Sequence, residues 1–472
     1  MNIWNDKGHF INGTWTGATG GTSVENPTNR LALATISSGT TAEVDAAVAS
    51  AKAALPGWMA TSVEARAELL GKVGALLQEA EDTFAQAITL EVGMPLKLAK
   101  MIQVGLPLQS FQNTARLAGE FPFERKVGNS SVIQEAVGVV AAITPWNYPL
   151  HQIAAKVAPA LAAGCTVILK PADLAPLNAL LLADLFAAAG APAGIFNVVT
   201  GPGAKIGLHL ATHADVDMIS FTGSTNTGAL LAREAASQIK RVSLELGGKS
   251  AAVVLDDADL QKAVKATVNA CFLNSGQTCS ALTRLIVPEA RKAEAVEIAR
   301  EATRAFVLGD PLDPATRLGP VISAKQRESI RHLIRTAEKE GGTLVTGGAD
   351  APDGLSDGYF VKPTVFADVD PDATLAQEEV FGPVLAILTA KDDDDSVAIA
   401  NNSRYGLSGS VWAGSAERAT AAARRIRTGQ IEINGGRFNS LAPFGGFKQS
   451  GYGRELGEFG IEEFVETKAL QF

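Results

Sequence analysis

The chain reads as an α/β protein of two successive units, each a mainly parallel sheet wrapped by helices, with a helical segment in front. Three observations carry this. At 472 residues the chain exceeds what one hydrophobic core serves, so two or three domains are expected. From Val132 onward, apolar runs of strand length alternate with helical stretches. Those runs are nearly continuous Val, Ile and Ala, and strands of that kind are buried on both faces, as in parallel sheets.

The elements follow in order. Residues 8–40 are rich in Gly, Thr and Asn and predict short strands and turns. Thr40-Thr41-Ala42-Glu43 is a capping-box pattern that opens an Ala-rich helix to about Ala54. Ser62 opens a second helical stretch to about Thr89, with Leu69, Leu70, Val73, Leu76 and Leu77 at helical spacing. Pro95 interrupts, and helix resumes to about Ala118. The first sheet takes its strands from Val137–Ile143, Thr166–Leu169, Phe196–Val199, Met218–Phe221 and Arg241–Leu244, with helices near 150–163, 175–190, 203–211 and 226–237. From Ser250 a second unit begins. Its strands are Ala251–Leu255, Arg284–Val287, Val384–Leu388, Ser410–Trp412 and Gln430–Asn434. Its helices are Asp259–Leu273, Arg291–Phe306, Ala324–Glu340, Ser396–Ser403 and Ala416–Thr428. No internal repeat is found. The acidic run Asp392 to Asp395 is read as a helix start, where carboxylates are favoured, and not as a metal site.

Composition narrows the classes of function. A net charge of −9 argues against a nucleic-acid surface. No apolar run is long enough to span a bilayer, and Met1 to Lys7 lack the layout of a signal peptide. Three cysteines without a CxxC pair form no disulfide framework, and with only five histidines no metal site is expected. A cytoplasmic enzyme is the default.

Parallel sheets bind ligands at the carboxyl ends of their strands, so the residues that follow each strand become candidates. After the first strand, Thr144-Pro145-Trp146-Asn147-Tyr148-Pro149 holds a side-chain amide in a turn fixed by prolines. Such a donor stabilises an oxyanion by roughly 3 kcal/mol, although an Asn that supports its own turn is the plainer reading. After the second, Lys170-Pro171-Ala172-Asp173 puts a lysine and an aspartate where a ribose or phosphate would lie; a surface lysine and a helix cap fit equally. After the fourth, Phe221-Thr222-Gly223-Ser224-Thr225 leads into a helix, with small residues that let a phosphate approach. Ser224 is also a plain helix cap. A GxGxxG fingerprint is absent, and Gly201-Pro202-Gly203 with Gly207 has one residue too many. After the fifth, Glu245-Leu246-Gly247-Gly248-Lys249 ends a buried strand on a carboxylate. Burial raises a carboxylate pKa and suits a general base, unless the acid is simply paired with Lys249. Leu273-Asn274-Ser275-Gly276-Gln277-Thr278-Cys279-Ser280 presents one thiol on a turn between a helix and a strand. A nucleophile there needs a base or donors nearby; a small core cysteine is the alternative, and it is the reading given to Cys165 and Cys271. Glu378-Glu379-Val380-Phe381-Gly382-Pro383 places acids and an aromatic in a turn. Pro443 to Gly451 is a Gly-rich loop whose rings suggest a pocket wall.

TPWNYP, LKPAD, FTGST, LELGGKS, NSGQTCS, EEVFGPV and PFGGFKQSGYGRE occur together and in this order. The set resembles the NAD(P)-dependent aldehyde dehydrogenase superfamily, over essentially the whole chain. The resemblance implies an aldehyde dehydrogenase-like fold. In it, 1–117 and 137–246 form a Rossmann-type cofactor domain lacking the usual glycine fingerprint, 247–449 the catalytic domain, and 118–136 with 450–472 an oligomerisation arm and tail. It implies that Cys279 attacks an aldehyde to give a thiohemiacetal and then a thioester. Asn147 and the Cys279 amide would hold the oxyanion. Glu245 would activate the hydrolytic water, and Lys156 and Glu455 would relay protons. For the cofactor it implies Thr144, Pro145, Trp146, Lys170, Asp173, Gly203, Phe221, Gly223, Ser224, Leu246, Gly247, Glu379 and Phe381. Relatives that prefer NAD often carry glutamate where Asp173 stands; aspartate keeps the charge, so NAD is favoured and NADP remains possible. For the substrate tunnel it implies Tyr148, Ala155, Thr278, Ser280, Phe438 and Phe444. Ala155 is small where some relatives carry an aromatic, which predicts a wide apolar tunnel for aromatic or medium-chain aldehydes. None of these residues is an arginine, which weighs against a semialdehyde with a carboxylate, although Arg437 stands close by in sequence. The alternatives are a semialdehyde dehydrogenase, a coenzyme A-acylating relative, which generally lacks the acid at the Glu245 position, and a non-catalytic binding or structural member. A homodimer or homotetramer is implied, with the segment Ala118–Glu135 as an arm and the tail Glu463–Phe472 adding a strand to a neighbour.

Overall fold

The computed structural model describes residues 7–17 and 21–472. Met1 to Asp6, which carry most of the segment weighed as a signal peptide, lie outside the described residues. The five expected strands of the first sheet occur at Val139–Ile143, Thr166–Lys170, Phe196–Val198, Met218–Thr222 and Arg241–Glu245, mutually parallel. Phe10–Ile11 closes one edge antiparallel and Gly451–Tyr452 the other, so residues far apart in sequence seal this sheet. Side chains alternate along each strand. Val140, Ala142, Val167 and Leu169 enter one core, beneath the helices Pro149–Ala163 and Leu177–Ala188. Val139, Ala141, Ile143 and Ile168 enter another, beneath Thr41–Met59. Coverage on both faces is what the unbroken apolar strands require.

The second sheet has the order Thr343–Thr346, Thr364–Ala367, Val384–Ala390, Leu282–Pro288, Ser250–Val254, Gly409–Trp412, Glu432–Ile433. Four of its inner strands, Val384–Ala390, Leu282–Pro288, Ser250–Val254 and Gly409–Trp412, match expectation. The strands at Thr343–Thr346 and Thr364–Ala367 were not foreseen, because each is four residues long and the first is half exposed between glycine pairs. Several helical boundaries also differ, and the helix expected over Ala416–Thr428 ends at Ala423. The first helix runs through Pro56 to Met59 and not to Ala54. The stretch from Ser62 is two helices, Val63–Glu79 and Glu81–Val92, jointed at Ala80. The segment near 203–211 begins as a π-helical turn, Gly203–Gly207. The arm is a hairpin, Glu124–Val127 with Ser130–Ala136. The tail Val465–Gln471 pairs with Ser130–Ala136 of its own chain through seven consecutive antiparallel partners and is the outer strand of that three-stranded sheet.

The remaining cysteines are core residues as expected. Cys165 and Cys271 are buried, their thiols donating to Phe464 O at 3.3 Å and Val384 O at 3.4 Å. Asp392 caps its helix through Asp395 N at 2.8 Å, and Arg418 and Arg425 pair with Asp393 and Asp394, so the acidic run is a neutralised helix start. Among the described residues no helix is long and apolar enough to cross a membrane.

Candidate active site

The carboxyl ends of the first sheet face the loop that carries Cys279. A cleft of about 280 Å³ lies between them, lined by Trp146, Asn147, Gly223, Glu245, Cys279 and Phe381 among others. That volume lies at the lower end of the ligand-cleft range, which begins at about 300 Å³.

The turn that presents Cys279 is built from left-handed backbone. Asn274, Ser275 and Gly276 have φ of 53°, 56° and 74°. For non-glycine residues each such step costs roughly 1–2 kcal/mol, and local hydrogen bonds offset it. Asn274 Nδ2 donates to Asn147 O at 2.9 Å, Ser275 Oγ to Gly319 O at 2.8 Å, and Gln277 Nε2 to Asn274 O at 3.1 Å. At Gly276 a Cβ would collide with the Gly382 backbone, so only glycine fits. The turn is thus locked, and the thiol at its end is held in the cleft.

Asn147 lies at the end of the adjacent strand and is buried. Its Nδ2 donates to Gln277 O at 3.0 Å, two residues before Cys279. Its own carbonyl is held by Gln103 Nε2 and Asn274 Nδ2, both at 2.9 Å. An amide nitrogen carries two protons, so one N–H remains for a ligand. The plainer reading, an Asn closing its own turn, does not hold: the bonds tie it to the cysteine loop.

Glu245 is the last residue of its strand, 3% exposed, and neither carboxylate oxygen has a hydrogen-bond partner. Its pKa is raised well above the ordinary range, first by burial and then by Glu455; Lys156 opposes this, and the neighbouring Cys279 thiol also favours the ionised form. The pairing with Lys249 weighed from sequence is absent: Lys249 Nζ is buried without a partner, and its pKa is lowered to about 8 by burial. Instead Lys156 forms a buried ion pair with Glu455. The Cys279 thiol is pushed well above its usual pKa by burial and by Glu245, Glu379 and Glu455, while the Ser280 backbone favours the thiolate.

The predicted cofactor residues fall into groups. Trp146, Gly223, Ser224, Leu246, Gly247, Glu379 and Phe381 line the Cys279 cleft with Pro145. Glu379 Oε1 accepts from Gly248 N at 3.0 Å, and a Cβ on Gly247 would strike its carboxylate. Burial raises the Glu379 pKa to about 7. Trp146 and Phe381 meet edge to face at 5.3 Å, with Phe381 at φ 54°. Lys170, Asp173 and Gly203 sit one strand away: Lys170 Nζ donates to Asp173 Oδ1 at 2.9 Å, and a Cβ on Gly203 would lie 3.4 Å from that nitrogen. Thr144 is buried with its hydroxyl unpartnered. Phe221 stacks under Gly223 and does not line the cleft. Ser224 caps the helix Thr225–Ala236 through Thr227 N, so the cap alternative is realised; the helix N-terminus still faces the cleft. Gln326 and Ser329 also line it and were missed, since both lie on a polar helix face that gives no sequence signal.

The tunnel candidates gather beside the thiol. Ala155, Phe444 and Leu456 form a cluster against which Cys279 packs. The hydroxyls of Tyr148 and Thr278 share a hydrogen bond of 2.8 Å. Phe438 is exposed and meets Phe444 at 6.3 Å. Arg437 is exposed.

His209 and His213, an HxxxH pair overlooked when histidines were judged too few for a metal site, come together with Asp45. The ligand-type atoms lie within 4.8 Å of one another. His213 Nδ1 accepts from Asp215 N at 3.1 Å, which leaves Nε2 as the protonated nitrogen facing Asp45. The trio is therefore a hydrogen-bonded cluster.

With this geometry in hand, comparison with known proteins is direct. The chain matches the sequence model of the aldehyde dehydrogenase family over residues 15–470. It is 46% identical to 3-succinoylsemialdehyde-pyridine dehydrogenase of a Pseudomonas species, over 98% of this chain and 97% of that one. Among solved structures it resembles aldehyde dehydrogenase C of Pseudomonas syringae, a cysteine-to-alanine mutant complexed with NAD+ and octanal, with TM-score 0.98, 44% identity and coverage of 100% and 99%. Betaine aldehyde dehydrogenase of Staphylococcus aureus, in complex with NAD+, gives TM-score 0.96 at 33% identity, covering 99% and 97%. The chain belongs to the aldehyde dehydrogenase family.

Proposed function

We propose that this protein oxidises an aromatic or medium-chain aldehyde to the carboxylic acid, with NAD as the cofactor. The observation that carries this is a thiol, Cys279, beside a buried carboxylate with no other partner, Glu245, on one cleft with a free amide proton of Asn147. Cys279 loses its proton to Glu245 and attacks the aldehyde carbon. The Asn147 side chain and the Cys279 backbone amide hold the resulting oxyanion. Bound NAD supplies the hydride acceptor. Loss of hydride leaves a thioester on Cys279, and Glu245 then draws a proton from water to hydrolyse it. Lys156 and Glu455, an ion pair close enough to shift the Glu245 pKa in opposite directions, carry protons away.

The residues around the cleft suit a dinucleotide: the helix N-terminus and Gly223 would hold the phosphates, Lys170 and Asp173 the adenosine ribose, and Glu379 the nicotinamide ribose. Asp173 repels a 2′-phosphate, so NAD is preferred over NADP. The Pseudomonas relative named for a pyridine semialdehyde and the octanal complex support an aromatic or medium-chain substrate, as do Ala155 and Phe444 beside the thiol. Absorbance of NADH with octanal, benzaldehyde and succinic semialdehyde tests the reading. Octanal or benzaldehyde should be turned over most efficiently; equal or better use of the acidic semialdehyde, or of NADP, overturns the corresponding part. Added coenzyme A should yield no acyl-CoA, because Glu245 hydrolyses the thioester.

A further inference from the structure

The helix Pro149–Ala163 buries every residue but one. The exception is His151, partly open to solvent on an element otherwise sealed. It stands four residues before Ala155, so helical spacing puts these two side chains on one face, and Tyr148 precedes the first turn as the N-cap residue. That face looks onto the nucleophile. The Tyr148 hydroxyl bonds the hydroxyl of Thr278, the residue before Cys279, and Ala155 packs in the cluster that Cys279 touches. His151 therefore stands one helical turn from a residue that packs in the cluster touched by the thiol. Its Nδ1 is shielded from solvent and has no hydrogen-bond partner. An unpaired buried nitrogen is unfavourable, and a ligand that pairs it relieves the penalty.

Protonation does not relieve it. Burial lowers the His151 pKa to about 4; Lys156 adds to this and Glu455 opposes it. The ring is neutral at physiological pH and offers one N–H and one lone pair. Glu455 also acts on Cys279, as do Glu245 and Glu379, so the surroundings are acidic and the ring brings no cation for a carboxylate.

We propose that His151 is a substrate-recognition residue that hydrogen-bonds a neutral polar group, such as a ketone oxygen or a ring nitrogen, carried by the aldehyde a few atoms from its carbonyl. This rests on aldehyde oxidation at Cys279 and narrows its substrate class from apolar aldehydes to neutral, oxygenated or heteroaromatic ones. The test compares octanal with γ-oxo-octanal. The wild type should favour the oxo compound in kcat/KM by about tenfold or more. His151→Leu should collapse that ratio toward unity, mainly through KM of the oxo compound, and His151→Gln, which keeps a donor and an acceptor, should restore part of it. A ratio unchanged by His151→Leu, or a wild type indifferent to the ketone, overturns the proposal. Should the wild type oxidise neither aldehyde, the activity reading fails by itself. Calorimetric binding of γ-oxo-octanol and octanol then reads the contact without catalysis: a preference lost in His151→Leu supports it, and equal affinities overturn it.

Discussion

Glu245 works as a base only when ionised, and burial holds its pKa above the ordinary carboxylate range. The rate should therefore rise with pH on a limb displaced upward from that range. Lys156→Met removes the cation that favours ionisation, so the limb of kcat against pH should move to still higher pH; an unmoved limb would show that Lys156 does not act on this group. Glu245→Gln should cut steady-state turnover by about 10²–10⁴; because Glu245 both takes the thiol proton and activates the water, a stopped-flow burst of one NADH equivalent should form more slowly than in wild type, yet ahead of the steady state. Asn147→Ala should lower kcat by about 10²–10³. At this scale the sequence was partly legible. A carboxylate ending a buried strand stands out on its own, and so does a cysteine on a polar turn. The partners of Asn147 do not: Gln103 reaches it from a π-helical segment, and nothing in local composition announces that contact. The same holds for Lys249, whose closeness in sequence suggested a pairing with Glu245 that the strand end does not make.

Elements hold these residues in place. The left-handed run Asn274–Gly276 admits no Cβ at Gly276, so Gly276→Ala should shift the cysteine turn and reduce kcat more than it reduces NAD binding, measured by fluorescence titration. Elsewhere, Glu91 is fully buried on the helix Glu81–Val92 and accepts from Leu177 N at 3.0 Å and from Asn178, binding the start of the helix Leu177–Ala188. Burial raises its pKa to about 8. A raised carboxyl pKa contributes stability that is fully present below the ordinary carboxylate range and lost as pH rises through about 8. The gap in thermal midpoint between wild type and Glu91→Ala should accordingly narrow between pH 5 and pH 9 or so. Strands buried on both faces were legible because their apolar runs are unbroken. Thr343–Thr346 was not, because a short, half-exposed strand shares its composition with a loop, and Thr364–Ala367, though buried, is only four residues long. The joint at Ala80 escaped for a related reason: periodicity continues across it while the backbone turns.

At the scale of the molecule, the cleft exists because the strand ends of the first half of the chain meet the cysteine loop of the second, and the order of the motifs reflects that. The tail's pairing with Ser130–Ala136 was not legible, since it is decided by where the arm stands in space. The arm itself is exposed: all of Glu124–Val127 faces solvent, Phe472 is 79% exposed, and the tail strand buries only Val465. A sheet of three strands with so little cover is marginal alone and is the surface through which copies would associate. Light scattering coupled to size exclusion should return a dimer or tetramer, and deleting 465–472 should reduce that mass; a monomeric full-length chain would count against the arm's role.

The crowd of acids around Cys279 has a consequence for the idle protein. Oxidants and alkylating agents attack sulfur in its anionic form, and here three carboxylates and the partial burial of the thiol keep the proton on. Shelf life in air should consequently be long for a nucleophilic cysteine, and inactivation by peroxide should accelerate only in strongly alkaline buffer.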